Sequence, residues 1–122
     1  VSYTKYVMRG DGVFAIISKM TGVEHSTLSW FIGSPTGVKT AGFLYLNQDK
    51  ELQSYGQSNS LGLKSEESDG VEIARALEEG RVTVVEHEDA GFFYATNDPN
   101  AVGEPSVTLE ALQSHRILER DD

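Results

Sequence analysis

Cysteine is absent from these 122 residues, which rules out a disulfide framework, a thiolate zinc site and a thiol nucleophile. None of the four asparagines begins an Asn-x-Ser/Thr sequon, so nothing marks an oxidising compartment. No run of about 18 apolar residues is there to span a bilayer. The start lacks the basic, apolar and small-residue order of a signal peptide, although a chain beginning at Val1 leaves room for a leader already removed. These absences suggest a cytoplasmic protein without a membrane partner.

Positive charge is scarce in the second half. Residues 1–65 carry six Lys or Arg against four Asp or Glu, whereas residues 66–122 carry four against fifteen, so the net charge of −9 belongs to the C-terminal half. Such a surface repels phosphate backbones, which argues against nucleic acid and for solubility or a basic protein partner.

The catalytic signatures are also missing. "FIGSPTGVKTAGFLYL" (31–46) has the look of a phosphate-binding loop, but only three residues separate Gly33 from Gly37 where the Walker pattern has four, Val38 intervenes before Lys39, and a strand follows where the pattern needs a helix. It reads as a turn between two strands, with Lys39 facing solvent. No Gly-x-Ser-x-Gly elbow or Gly-x-Gly-x-x-Gly fingerprint occurs. The Arg9–Gly10–Asp11 tripeptide is explained as a turn. Neither Glu24–His25 nor Glu86–His87 resembles the His-Glu-x-x-His helix of a zinc hydrolase, so no catalytic or metal-binding residue is assigned and no cofactor is expected.

What is present is enough to fold. Leu, Ile, Val and Phe make up 31 of the 122 residues, sufficient for one core in a single domain spanning 1–122. "YTKYVM" and "VFAIISKM" around "RGDG" predict a first hairpin, and "TLSWFIG" a further strand with Leu28, Trp30 and Ile32 on one face. "TAGFLYL" and "ELQSYG" flank the polar turn 47–50. Residues 54–70 form a long Ser, Gly and Asn rich connection of the kind found in lids. "SDGVEIARALEEG" predicts a helix with Asp69 as N-cap, Glu72 closing a capping box, a buried stripe of Val71, Ile73, Ala74 and Leu77, and Gly80 as the stop. A second hairpin pairs "RVTVVEH" with "FFYAT", and 106–118 fits either a helix or a strand. The expected fold class is α+β: a mainly antiparallel sheet of five to seven strands with two helices packed on one face.

Three functions compete on this evidence. The first is a non-enzymatic acidic protein-interaction module, inhibitor- or immunity-like, that docks a basic protein partner through Glu66, Glu67, Glu86, Glu88 and Asp89. Phe92, Phe93 and Tyr94 would anchor the contact, because three successive rings on a strand cannot all point inward. The second is a homodimeric small-ligand binder whose aromatic pocket, Trp30, Phe43, Tyr45 and Tyr55, lies under the 54–70 connection. The third is an enzyme using His25 or His87 with a carboxylate, which needs that pair in one cleft.

Overall fold

The computed structural model describes residues 4–87 and 91–118. β1 (Thr4–Arg9), β2 (Phe14–Ser18), β3 (Val38–Leu46) and β4 (Leu52–Tyr55) come first, with the short α1 (His25–Ser29) between β2 and β3. A small two-stranded ribbon, β5 (Gln57–Ser58) with β6 (Leu63–Lys64), leads to α2 (Glu67–Glu78). β7 (Thr83–His87), β8 (Phe92–Thr96) and α3 (Leu109–Ser114) complete the order. The main sheet has six strands in the order β4-β3-β1-β2-β8-β7, and every pairing is antiparallel. The fold is α+β, as the sequence predicts. No described helix is long and apolar enough to cross a membrane.

Turn chemistry closes the hairpins. Asp11 Oδ1 accepts the Val13 amide and Gly12 takes φ 90° between β1 and β2. Asn47 Oδ1 accepts the Glu51 amide between β3 and β4, with Lys50 at φ 62°. Side chains that satisfy the backbone locally are what make Asp and Asn turn residues.

Both faces of the central strands are covered, which is why "FAIIS" is apolar without alternation. On one face Tyr6, Met8, Phe14, Ile16 and Leu44 pack against Ile73 and Ala76 of α2 and Leu112 of α3. On the other, Val7, Ala15, Ile17 and Ala41 pack against Leu28 of α1 and the following Ile32, with Leu61 and Leu63 of the ribbon at the margin. Each such side chain contributes about 1.5 to 3 kcal/mol on burial, so the two layers together dominate the stability.

The structure differs from the sequence expectation in several places. "TLSWFIG" is α1 followed by a 3-10 turn, Trp30–Ile32, and not a strand. Leu28 and Ile32 are four residues apart and both buried, while Trp30 between them is 64% exposed, so helical spacing decides where period two had fitted equally. Trp30 and Phe43 therefore do not share a sheet, and a 3-10 turn, Pro35–Gly37, leads into β3. Lys39 is exposed at the start of β3, as expected. Residues 54–70 are not one open connection, since they hold the end of β4, both ribbon strands and the start of α2. The N-cap of α2 is Glu66, with Asp69 at the third helical position, so the buried face shifts to Asp69, Gly70, Ile73 and Ala76, and Val71 turns outward. Residues 109–114 of the C-terminal stretch are helical. The three rings of β8 are all half-buried, because each face of the sheet is covered there.

Neither outer strand is bare. Val84 at the β7 edge exchanges backbone hydrogen bonds with Glu104, 2.8 and 2.9 Å. At the β4 edge the first turn of α2 lies so close that a Cβ on Gly70 would stand 2.8 Å from the Leu52 carbonyl oxygen and 3.1 Å from the Ser54 nitrogen. Helix propensity alone favours Gly70→Ala by about 1 kcal/mol, but the clash with fixed backbone outweighs it. Gly70→Ala is expected to lower stability by about 1 to 3 kcal/mol in urea unfolding, while Gly10→Ala, with open space around its Cβ, stays within about 0.5 kcal/mol of the parent.

Candidate functional site

A buried polar staple fixes the start of α2. Tyr6 on β1 is fully buried and its hydroxyl donates to Asp69 Oδ2 at 2.5 Å, with Asp69 itself 3% exposed. The same oxygen accepts the Glu66 amide at 3.0 Å, the side-chain half of a capping box. Ser54 on β4 donates to the Glu66 carbonyl at 2.6 Å and accepts the Gly70 amide at 3.1 Å. Burial, then the hydrogen bond to Asp69 and its negative charge, push the Tyr6 phenol well above its ordinary range.

Held there, α2 diverges from β4 and leaves a groove of about 350 Å³. Its apolar lining is Leu52, Val71, Ala74, Leu77 and Leu109. Val71 is 56% exposed, an unusual place for a β-branched apolar side chain on a helix. The charged lining of the groove is Lys50, Glu51 and Glu78. Helical spacing puts Glu67, Val71, Ala74 and Glu78 along one stripe, so carboxylates lie at both ends of the apolar floor. The exposed cations nearby are partly answered already: Arg81 pairs with Glu79 at 2.7 Å and Arg75 lies 4.0 Å from Glu72. The rim is net acidic.

The residues singled out from sequence fall into separate groups. Glu66 and Glu67 lie at the α2 N-terminus, where Glu66 shares a cleft with Arg9 and Gly10 at the end of β1. Gly91, Phe92 and Phe93, at the start of β8, share a cleft with Ser18, at the opposite end of the β1–β2 pair. One surface therefore does not hold Glu66 and Glu67 together with Glu86, which is exposed on β7; Glu88 and Asp89 lie outside the described residues. Phe92 and Tyr94 join Phe31, at centroid separations of 6.2 and 4.7 Å, and His87 stacks on Phe92 at 5.1 Å. Phe93 faces the other way, 4.5 Å from the His115 ring. These rings serve the core more than an exposed anchor.

Three of the four expected pocket rings do converge. Tyr55 lies 5.9 Å from Phe43 and 5.3 Å from Tyr45, while Trp30 is exposed in the 3-10 turn after α1. His25 packs edge-on against Phe43 at 5.2 Å. It is 5% exposed, and its Nε2 donates to the Gly42 carbonyl at 2.7 Å, since a carbonyl only accepts. Burial lowers its pKa, so the ring is neutral near pH 7. Neither His25 nor His87 hydrogen-bonds a carboxylate among the described residues, and His115 Nε2 sits 3.6 Å from Glu104 Oε2, too far for a hydrogen bond. Among the described residues no group of three His, Asp or Glu side chains is placed to hold a metal. The groove was missed from sequence because it depends on Val71 facing out, which follows only once the helix starts at Glu66.

Two pH effects follow. The folded-state pKa of Tyr6 is raised, so its contribution is whole below about pH 10 and is lost as pH rises beyond. Tyr6→Phe is expected to cost about 1 to 3 kcal/mol at neutral pH and to flatten the alkaline fall in unfolding free energy. The folded-state pKa of His25 is depressed, so its contribution is whole above about pH 6.5 and is lost as pH falls. A ring-proton NMR titration should show His25 still neutral where an exposed histidine is half protonated. No known family model, curated protein or solved structure matches this chain.

Proposed function

We propose that this chain is a non-enzymatic acidic protein-interaction module that docks a basic protein partner in the groove between α2 and β4, as inhibitors or immunity-type proteins dock basic enzymes. The observation that carries this is Val71, an exposed apolar side chain over an apolar floor whose rim is acidic. An apolar anchor entering the floor gains burial, and flanking Lys or Arg residues of the partner meet Glu51, Glu67 and Glu78. A second copy of this chain is a poor occupant, because it brings the same net charge of −9. The charge of the C-terminal half speeds encounter with a cationic protein and slows it with an anionic one. A reducing compartment such as the cytoplasm suits a chain without cysteine or sequons.

The test uses defined probes. An amphipathic Leu/Lys peptide is titrated into the labelled protein beside a Leu/Glu peptide of the same length. Amide shifts are expected at Lys50–Gln53, Val71–Glu78 and Leu109 with the basic peptide alone. Val71→Glu is expected to weaken that binding by about tenfold or more with the unfolding midpoint unchanged, and the association rate should fall by roughly tenfold between low and high salt. Shifts scattered over the whole acidic surface, or binding indifferent to Val71→Glu, would sink the groove as the docking site.

A further inference from the structure

A second cleft, of about 290 Å³, lies on the opposite face of the sheet from the groove. Lys5 on β1 stands directly across from Phe43 on β3 in the strand register, so both side chains project to the α1 side. The Lys5 ammonium, a triple donor, donates to the Val23 carbonyl at 2.8 Å and to no other described residue. Glu24, next in the chain, lines the same cleft and is exposed. The two opposite charges form no ion pair with each other or with any other described residue.

The rest of the cleft is polar on one side and apolar on the other. Gln57, Asn59 and Ser60, from β5 and the turn after it, supply two amides and a hydroxyl. Ser60 Oγ accepts the Ser26 amide at 3.2 Å and so ties this wall to α1. Phe43 is the apolar wall. It is wedged between the His25 ring and Gly56, which takes φ 77° and whose added Cβ would stand 3.0 Å from the Phe43 ring. His25 spends its N–H on Gly42, so its Nδ1 is a lone-pair acceptor, bonded to no described residue.

We propose that this cleft binds a small zwitterion the size of a free α-amino acid, its carboxylate on Lys5, its ammonium on Glu24 and its side chain against Phe43. The cleft is open to solvent on its Glu24 and Gln57–Ser60 side; a simple anion would meet Lys5 alone and a simple cation Glu24 alone, whereas a zwitterion makes a charge-assisted contact with each. The volume is at the small end of ligand clefts, which excludes nucleotides and suits a molecule of about ten heavy atoms. The neutral His25 ring adds an acceptor for a ligand N–H, and its depressed pKa keeps it in that state near pH 7. The cleft is independent of the α2 groove, since the two lie on opposite faces.

The test titrates the labelled full chain with each proteinogenic L-amino acid at millimolar concentration, and with acetate and methylammonium as single-charge controls. The expected result is saturable shifts at Lys5, Glu24, Phe43 and Gln57–Ser60 for one or a few amino acids, with neither control reproducing them. Lys5→Met and Glu24→Gln should each weaken that binding by about tenfold or more, the loss of one charge-assisted contact. The Glu24 side chain is exposed and makes no cap hydrogen bond to α1, whose Leu28 amide is held by the Glu24 carbonyl, so Glu24→Gln keeps the test open even if Lys5→Met loosens the Val23 segment. The proposal fails if no amino acid gives saturable shifts at these residues, if acetate or methylammonium alone binds as well, or if Glu24→Gln binds as the parent does.

Discussion

The hydrogen bond from the Tyr6 phenol to Asp69 joins the middle of the sheet to the first turn of the only long helix among the described residues, and much else depends on where it places that turn. A buried carboxylate is costly unless its oxygens are answered, and here one oxygen takes both the phenol and the Glu66 amide. The constraint is geometric as well as energetic. With Asp69 pinned over Tyr6, Gly70 is pressed against the Leu52 carbonyl, Ile73 and Ala76 fall on the core, and Val71 has nowhere to go but outward.

How far the sequence spoke for the fold depended on whether one periodicity was satisfied or two. "VFAIISKM" has no helical stripe, so its strand was plain, and the hairpins around residues 10–13 and 47–50 carried their own turn residues. "TLSWFIG" satisfied both periods through Leu28 and Ile32, and only the covering of the second sheet face, a tertiary fact, settled it as a helix. The start of α2 misled for a related reason: Asp69 is the better N-cap residue by type, but its carboxylate is held by Tyr6, which lies 63 residues away in the chain, and the helix starts one turn earlier. Of the sites, the convergence of Phe43, Tyr45 and Tyr55 was legible because neighbouring strands place them on one face. The separation of Glu66 from Glu86 was not, since charge counts along a chain do not say at which end of a sheet each charge stands.

The two clefts divide the chemistry of the molecule between its faces. The α2 side is apolar in its floor and acidic at its rim, suited to the side chains of a protein surface. The α1 side holds a cation and an anion, neither in an ion pair with a described residue, in one cleft with an aromatic wall, suited to something much smaller. The six-stranded sheet between them is packed through on both sides.

The occupied outer strands bear on how any partner can recognise this protein. Many small β-rich domains are read through their backbone, by a peptide that adds itself as one more strand and needs little from the side chains. Here Glu104 already fills that role for β7, and the first turn of α2 stands where such a peptide would lie along β4. Recognition at those two places falls to side chains, and it is tuned or lost by single surface substitutions, unlike the indiscriminate edge-to-edge joining by which exposed strands assemble into fibres.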